Sequence, residues 1–257
     1  MEQSPKHFGH HLVHTAVYGP VSSRRYGTTI GINLLPAFQK HCSFDCVYCQ
    51  LGWTPKKSRK EKQQFPTPKD VITALKKTLE NLENNNVSIV FSGNGEPTLY
   101  PHFSDVITKI VSLRNAFDAK IQIICFTNGT TLKDLSILKA LSQIDECCVK
   151  ADAAPDRINK PCSPYSFLDQ IDFINKLPNL VIQSCFLSGD KKNATDKDVQ
   201  KWIASIKDLN PKRIDLYTLS RNTPHVGLEA VSLERLEEIR EKLRKDFSCP
   251  ITVSGSD

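Results

Sequence analysis

The chain has 257 residues, 39% of them hydrophobic and 24% charged, with a net charge of +6. That is an ordinary globular composition, long enough for one large α/β domain and unlike that of a disordered or fibrous chain. No apolar run approaches the roughly 20 residues that span a bilayer, and the start from Met1 to Lys6 lacks the apolar core of a signal peptide. No membrane association is therefore expected, and the protein is placed in the cytoplasm. Nine cysteines in that compartment read as metal ligands and buried thiols rather than disulfides.

In chain order, residues 1–28 read as an N-terminal arm and 29–257 as one domain. His7, His10, His11 and His14 in the arm have a spacing that would suit a divalent metal, but with no cysteine or acidic ligand beside them they read as an exposed group. A first strand is expected over 29–34, leading into a cysteine-containing loop. Thr67 and Pro68 then form a helix start, with an apolar stripe of Val71, Leu75, Leu79 and Leu82. Strand 87–91 precedes a helix carrying Phe103, Val106, Ile107 and Ile110; strand 121–126 precedes one carrying Leu132, Leu135, Leu138 and Leu141. Strand 146–151 is followed by a fourth long helix holding Phe167, Leu168, Ile171 and Ile174. Strand 180–186 leads to a helix opened by Thr195 with Asp198 as its capping partner. Strand 214–219, a helix from Ser232 to about Lys245 and a short run 250–253 complete the pattern. Such alternation is that of βα units around a parallel sheet, and by periodicity alone a partial barrel and a doubly wound open sheet fit equally well.

Cys42, Cys46 and Cys49 are the most informative group, because they offer three thiolates in ten residues and no fourth. A four-iron four-sulfur ([4Fe-4S]) cluster held this way keeps one iron open to another ligand, whereas an electron-transfer centre normally takes four cysteines. Cys125, Cys147, Cys148 and Cys185 fall in predicted strands and read as small buried hydrophobes; Cys162 and Cys249 fall in loops. A basic run, Lys56, Lys57, Arg59, Lys60 and Lys62, follows the cysteine loop. It would attract a phosphate backbone, and its plain alternative is a solvated loop.

The cysteine run, with Tyr48 just before the third cysteine, resembles the signature of the radical S-adenosylmethionine (SAM) superfamily. Residues 92–98 are similar to that superfamily's G-G-E-P segment, with Asn94 in place of its first glycine. A narrower resemblance, through residues 18–25, 31–36, Leu51 and Gly52, 157–161 and 215–221, is to short stand-alone radical SAM proteins related to wyosine-synthesis enzymes. The resemblance implies a partial (β/α)6 TIM-like barrel, with ligands at the carboxyl ends of the strands.

It also implies roles. Cys42, Cys46 and Cys49 would hold the cluster, and SAM would chelate the fourth iron. Tyr48 would lie near the adenine, and Gly93, Asn94, Gly95, Glu96 and Pro97 would face the methionyl ammonium. Asp152 would accept from the ribose hydroxyls and Lys150 would meet a carboxylate or the substrate, unless the two form a salt bridge at the strand end. Asn128, Gln183 and Tyr217 complete the polar set, with Asn128 alternatively a turn residue. Arg24 and Arg221, with Lys150, are the candidates for contact with an anionic substrate, against structural pairing. The implied activity is reductive cleavage of SAM to a 5′-deoxyadenosyl radical, with an aminocarboxypropyl radical left open. The electron would come from a flavodoxin- or ferredoxin-type donor. RNA, tRNA first, is the expected substrate and a protein or peptide the second choice. A reading of another class is a non-catalytic zinc module, which would need a distant fourth ligand.

Overall fold

The computed structural model describes residues 12–55, 64–82, 86–118, 120–160, 167–221 and 223–255. His7, His10, His11, the basic run at 56–62 and Cys162 lie outside the described residues. The elements are β1 (Val17–Ser23), β2 (Gly27–Ile32), α1 (Pro68–Glu80), β3 (Ser88–Phe91), α2 (Phe103–Phe117), β4 (Gln122–Thr127), α3 (Leu135–Leu141) and β5 (Glu146–Lys150). They continue as α4 (Pro155–Ile158), α5 (Ile171–Ile174), β6 (Leu180–Cys185), β7 (Leu187–Gly189), α6 (Asp196–Ile206), β8 (Arg213–Tyr217), β9 (Leu228–Ala230), α7 (Leu233–Leu243) and β10 (Ile251–Ser254).

The main sheet has eight strands in the order β1-β2-β3-β4-β5-β6-β8-β10. Every neighbouring pair is parallel except the β1–β2 edge, which is antiparallel. The parallel strands follow one another without the reversal of order that a doubly wound sheet requires. That separates the two architectures that periodicity left equal, in favour of the open partial barrel. The run at 250–253 becomes β10, an added parallel edge strand on β8.

Caps and apolar stripes fix the helices. Thr67 and Thr195 accept from the backbone N–H of Asp70 and Asp198. Val71, Leu75 and Leu79 of α1, Val106, Ile107 and Ile110 of α2 and Val199, Trp202 and Ile206 of α6 pack against one face of the sheet. Cys125 and Cys147 lie in that core, and Cys148 and Cys185 are buried on the opposite face, as expected of free thiols in strands.

Two expectations are corrected. The fourth long helix is a 3-10 turn at Leu168–Gln170 followed by the single turn of α5. Leu168 is exposed, and Pro178 keeps Leu177 out of the helical region, so the stripe has neither the depth nor the length for a long helix. Residues 17–23, assigned to the arm, instead form β1 and pair with β2. Its β-rich residues were hidden by Gly19 and Pro20, which sit where the register shifts between Tyr18 and Val21.

The inner face of the sheet is polar in rows set by the parallel register. Arg213 lies beside Val181 and Cys148, Asp215 beside Gln183 and Lys150, and Tyr217 beside Cys185. At the amino end Arg213 grips Glu146 with both terminal nitrogens at 2.7 Å and gives its Nε to Asp215, also at 2.7 Å. Tyr26, from the β1–β2 turn, donates to Glu146 at 2.8 Å and meets Cys148 Sγ at 3.3 Å. Removing the cation would leave two acidic groups facing each other away from bulk water. Arg213→Ala is therefore expected to cost on the order of 3 kcal/mol of stability, read by chemical denaturation.

Candidate functional site

The cysteine loop leaves the carboxyl end of β2 and is tied down on two sides. On one, His41 N–H donates to Asn94 O at 2.8 Å and Glu96 N–H donates to His41 O at 3.0 Å. On the other, Asp45 N–H donates to Lys160 O at 3.1 Å and Val47 N–H to Ile158 O at 2.9 Å. The first strap needs a glycine. Gly95 has φ +143°, and a Cβ there would fall 2.0 Å from His41 O and 3.2 Å from Cys42 Cβ.

Asn94, the departure from the glycine pattern, keeps a negative φ, so its backbone is open to any residue. Its side chain is fully buried and turned toward the arm. Oδ1 accepts from Val13 N–H at 2.8 Å, and Nδ2 donates to Val13 O and Pro36 O, each at 2.8 Å. Glu96 is also buried, and it fastens this segment to the end of β4. Its Oε1 accepts from the hydroxyls of Thr98 and Thr127 at 2.6 and 2.7 Å, and its Oε2 from Asn128 N–H at 2.7 Å. Burial raises the Glu96 pKa despite those hydrogen bonds, which pull it down.

Cys42, Cys46 and Cys49 are each only partly exposed. Phe44 N–H and Asn128 Nδ2 donate to Cys42 Sγ at 3.4 and 3.7 Å, and Asn159 Nδ2 donates to Cys46 Sγ at 3.4 Å. Asn128 also makes the expected turn, its Oδ1 accepting from Thr130 N–H at 3.1 Å. Lys40 is 3% exposed and donates to Gly52 O at 2.7 Å, across the base of the loop. Burial opposes its charge, but Cys49, Cys42, Cys46 and Asp45 outweigh that and hold its pKa above the usual lysine value. Burial pushes the Cys46 thiol up to about 12. Among the described residues no three His, Cys, Asp or Glu side chains close into a single-ion site. A [4Fe-4S] cluster would instead be held by cysteine thiolates alone. Three thiols on one loop, with N–H donors aimed at two of them, fit that group by donor chemistry.

Beside the loop, Tyr48 OH donates to Asp152 Oδ2, which also accepts from Asn159 Nδ2 at 2.7 Å; Asp152 Oδ1 accepts from Cys185 N–H at 2.7 Å. Lys150 donates to Tyr217 OH, lies 3.6 Å from Asp152 and sits over the rings of Tyr217 and Tyr48 at 4.3 and 5.2 Å. The salt-bridge reading of Lys150 and Asp152 is thus present in the structure, and the same pair faces a cavity of about 620 Å³ that Phe44 and Asn159 also line. Gln183 is buried on the inner face and donates to Asp215 at 3.2 Å. Arg24 donates to Ser220 Oγ at 2.8 Å and Arg221 to Gln50 Oε1 at 3.4 Å, which brings both to the mouth at the end of β8. Arg25 also stacks on Tyr217, 5.0 Å from the ring centre.

Most of the expected residues therefore gather at the carboxyl ends of the strands, with Gln183 in the row of Lys150, below that of Tyr217. Lys40 and Asn159 were missed. Asn159 lay inside a run already singled out, but nothing local marks Lys40.

Three thiols on a loop after the first parallel strand, strapped to the segment after the next, define a radical SAM core, and a family model described as the radical SAM superfamily matches residues 37–206. The chain belongs to that superfamily, whose cofactors are a [4Fe-4S] cluster and SAM. Its relatives include a UPF0026 protein of Helicobacter pylori, 30% identical over 213 residues, which are 80% of this chain and 66% of that protein. A UPF0026 protein of Methanocaldococcus jannaschii is 30% identical over 235 residues, 88% of this chain and 70% of that one. The chain thus spans 66% of the length of the Helicobacter relative. A radical SAM methyltransferase from Sphaerobacter thermophilus shares the fold, with a TM-score of 0.62 at 17% identity over 88% of this chain and 66% of that one. Among the described residues no helix is long and apolar enough to cross a membrane.

Proposed function

We propose that the protein is a cytoplasmic radical SAM enzyme that cleaves SAM reductively and applies the resulting 5′-deoxyadenosyl radical to RNA, tRNA first. The observation that carries the first half is the pair of straps that fixes a three-thiol loop between the Gly93 to Pro97 segment and Ile158 and Lys160. In this reading Cys42, Cys46 and Cys49 hold the cluster. When bound, it supplies the electron that breaks a carbon–sulfur bond of SAM.

The remaining work falls to the chain's own groups. The backbone of Gly93 to Pro97 faces the methionyl end of SAM, with Glu96 holding that segment to β4 rather than offering a free carboxylate. Asp152 lines the cavity with Oδ2 held by Tyr48 and Asn159 and Oδ1 by Cys185 N–H, and ribose hydroxyls would donate to its remaining lone pairs. Lys150, Arg24 and Arg221 make the mouth positive, which suits an anionic substrate. A flavodoxin- or ferredoxin-type protein provides the electron.

RNA is favoured over a peptide by the narrower resemblance and by the basic run at 56–62. Exchanging Lys56, Lys57, Arg59 and Lys60 for glutamine is expected to weaken tRNA binding about tenfold or more at low salt and to flatten its salt dependence. Unchanged tRNA binding in that variant, or none in the parent chain, removes RNA from the proposal. An iron-to-zinc ratio on anaerobically prepared protein tests the first half. Iron in excess is expected, and stoichiometric zinc alone would overturn it.

A further inference from the structure

Resting on the radical SAM reading above, we propose that Lys40 and the side-chain amides of Asn128 and Asn159 form an electropositive shell that raises the reduction potential of the cluster, with Lys40 its largest part. Lys40 lies two positions before the first cysteine, yet its ammonium is anchored on Gly52, three positions after the last, at 2.7 Å. That bond closes the loop that carries all three cysteines and holds a buried cation across its base. The Asp45 carboxylate stands 3.8 Å away, at ion-pair rather than hydrogen-bonding distance, so the ammonium is tied to the loop by the Gly52 carbonyl.

The electrostatics follow from charge alone. Reduction adds one negative charge to the cluster and its thiolates, and a fixed cation inside a region that water screens poorly favours the more negative state. N–H donors on ligand sulfurs act in the same direction by drawing charge out of the iron–sulfur bonds. Asn128 reaches Cys42 Sγ at 3.7 Å and Asn159 reaches Cys46 Sγ at 3.4 Å. Each amide is itself held, Asn128 by Thr130 and Ser43 and Asn159 by Asp152, so neither donor has to be ordered when the cluster binds. The electron comes from a one-electron carrier protein, or from dithionite in the test. Lys40 passes neither proton nor electron and is a positioning residue for charge.

The test is a redox titration of the full chain carrying its cluster, without SAM, followed by the electron paramagnetic resonance signal of the reduced state. Lys40→Met is expected to move the midpoint to more negative potential by about 59 mV, which is a tenfold lower reduced-to-oxidised ratio at fixed poise for a one-electron couple. Lys40→Arg, which keeps the charge, is expected to stay near the parent value, and Asn159→Ala to shift the same way by less. A Lys40→Met cluster that titrates at the parent potential overturns the proposal. If Lys40→Met does not retain iron, Asn159→Ala and Asn128→Ala decide, and no negative shift in either overturns it. A parent chain that takes up no cluster overturns the radical SAM reading itself, a different outcome from an intact cluster indifferent to these substitutions.

Discussion

Cys46→Ala is expected to bring 5′-deoxyadenosine formation from SAM and dithionite down to the level of a protein-free control under anaerobic conditions. The loss should exceed the roughly ten- to hundred-fold that follows from removing an outer-shell partner, because a ligand itself is gone. Cys46 is the sulfur that joins the loop to the far side of the site, since Asn159 donates to it and to Asp152. Burial pushes its thiol up to about 12, so cluster assembly would have to displace a proton there. Alanine would leave two thiolates and an idle amide. Turnover that survives in this variant, measured by chromatography and mass, would refute the assignment of the three cysteines.

The second large effect is expected at Gly95, where the defect is in the backbone and no chemical group is removed. Gly95→Ala adds a Cβ 2.0 Å from His41 O at a φ of +143°. Strain of about 1–3 kcal/mol combines with the loss of the two backbone bonds of the strap, each about 1 kcal/mol. The cysteine loop would swing away from Gly93 to Pro97, and SAM affinity is expected to fall by two orders of magnitude or more with all three cysteines intact. Gly27 provides the control. It also has a positive φ, +64°, but nothing lies within 4 Å of the Cβ it lacks, and an asparagine there should be nearly silent. If Gly95→Ala takes up iron and binds SAM like the parent chain, the strap is not what assembles the site.

Much of this architecture could be read from residue order. Each parallel strand was a β-rich apolar run between turn signals, and the caps at Thr67 and Thr195 fall where the pattern places them. Legibility ended where partners are distant in sequence. Asn94 is an anomaly when only its neighbours are considered; its amide makes sense through Val13, 81 residues away, and Pro36, 58 away. Glu96 looked like a cofactor contact because a lone acidic residue in a glycine-rich turn has no visible partner. Two threonine hydroxyls and an amide from beyond β4 supply them. Lys40 carried no signal, because a single lysine among polar residues is ordinarily solvated, and only the closed loop buries it. The missed antiparallel edge and the overextended fourth helix are failures of the same kind, in which Gly19, Pro20 and Pro178 override the hydrophobic pattern around them.

The turn between β1 and β2 has a consequence for how the chain reaches its final form. Arg24 is held by Ser220, 196 residues later, and Tyr26 by Arg213, 187 residues later. Contacts of such long range form late, after the entropy of closing a large loop has been met. The inner face of the sheet is thus unfinished until the turn between β1 and β2 has docked on a strand made 187 residues later. A nascent chain would carry the cysteine loop with that face still open until β8 is made, and cluster insertion should track completion of β8 rather than emergence of the cysteines.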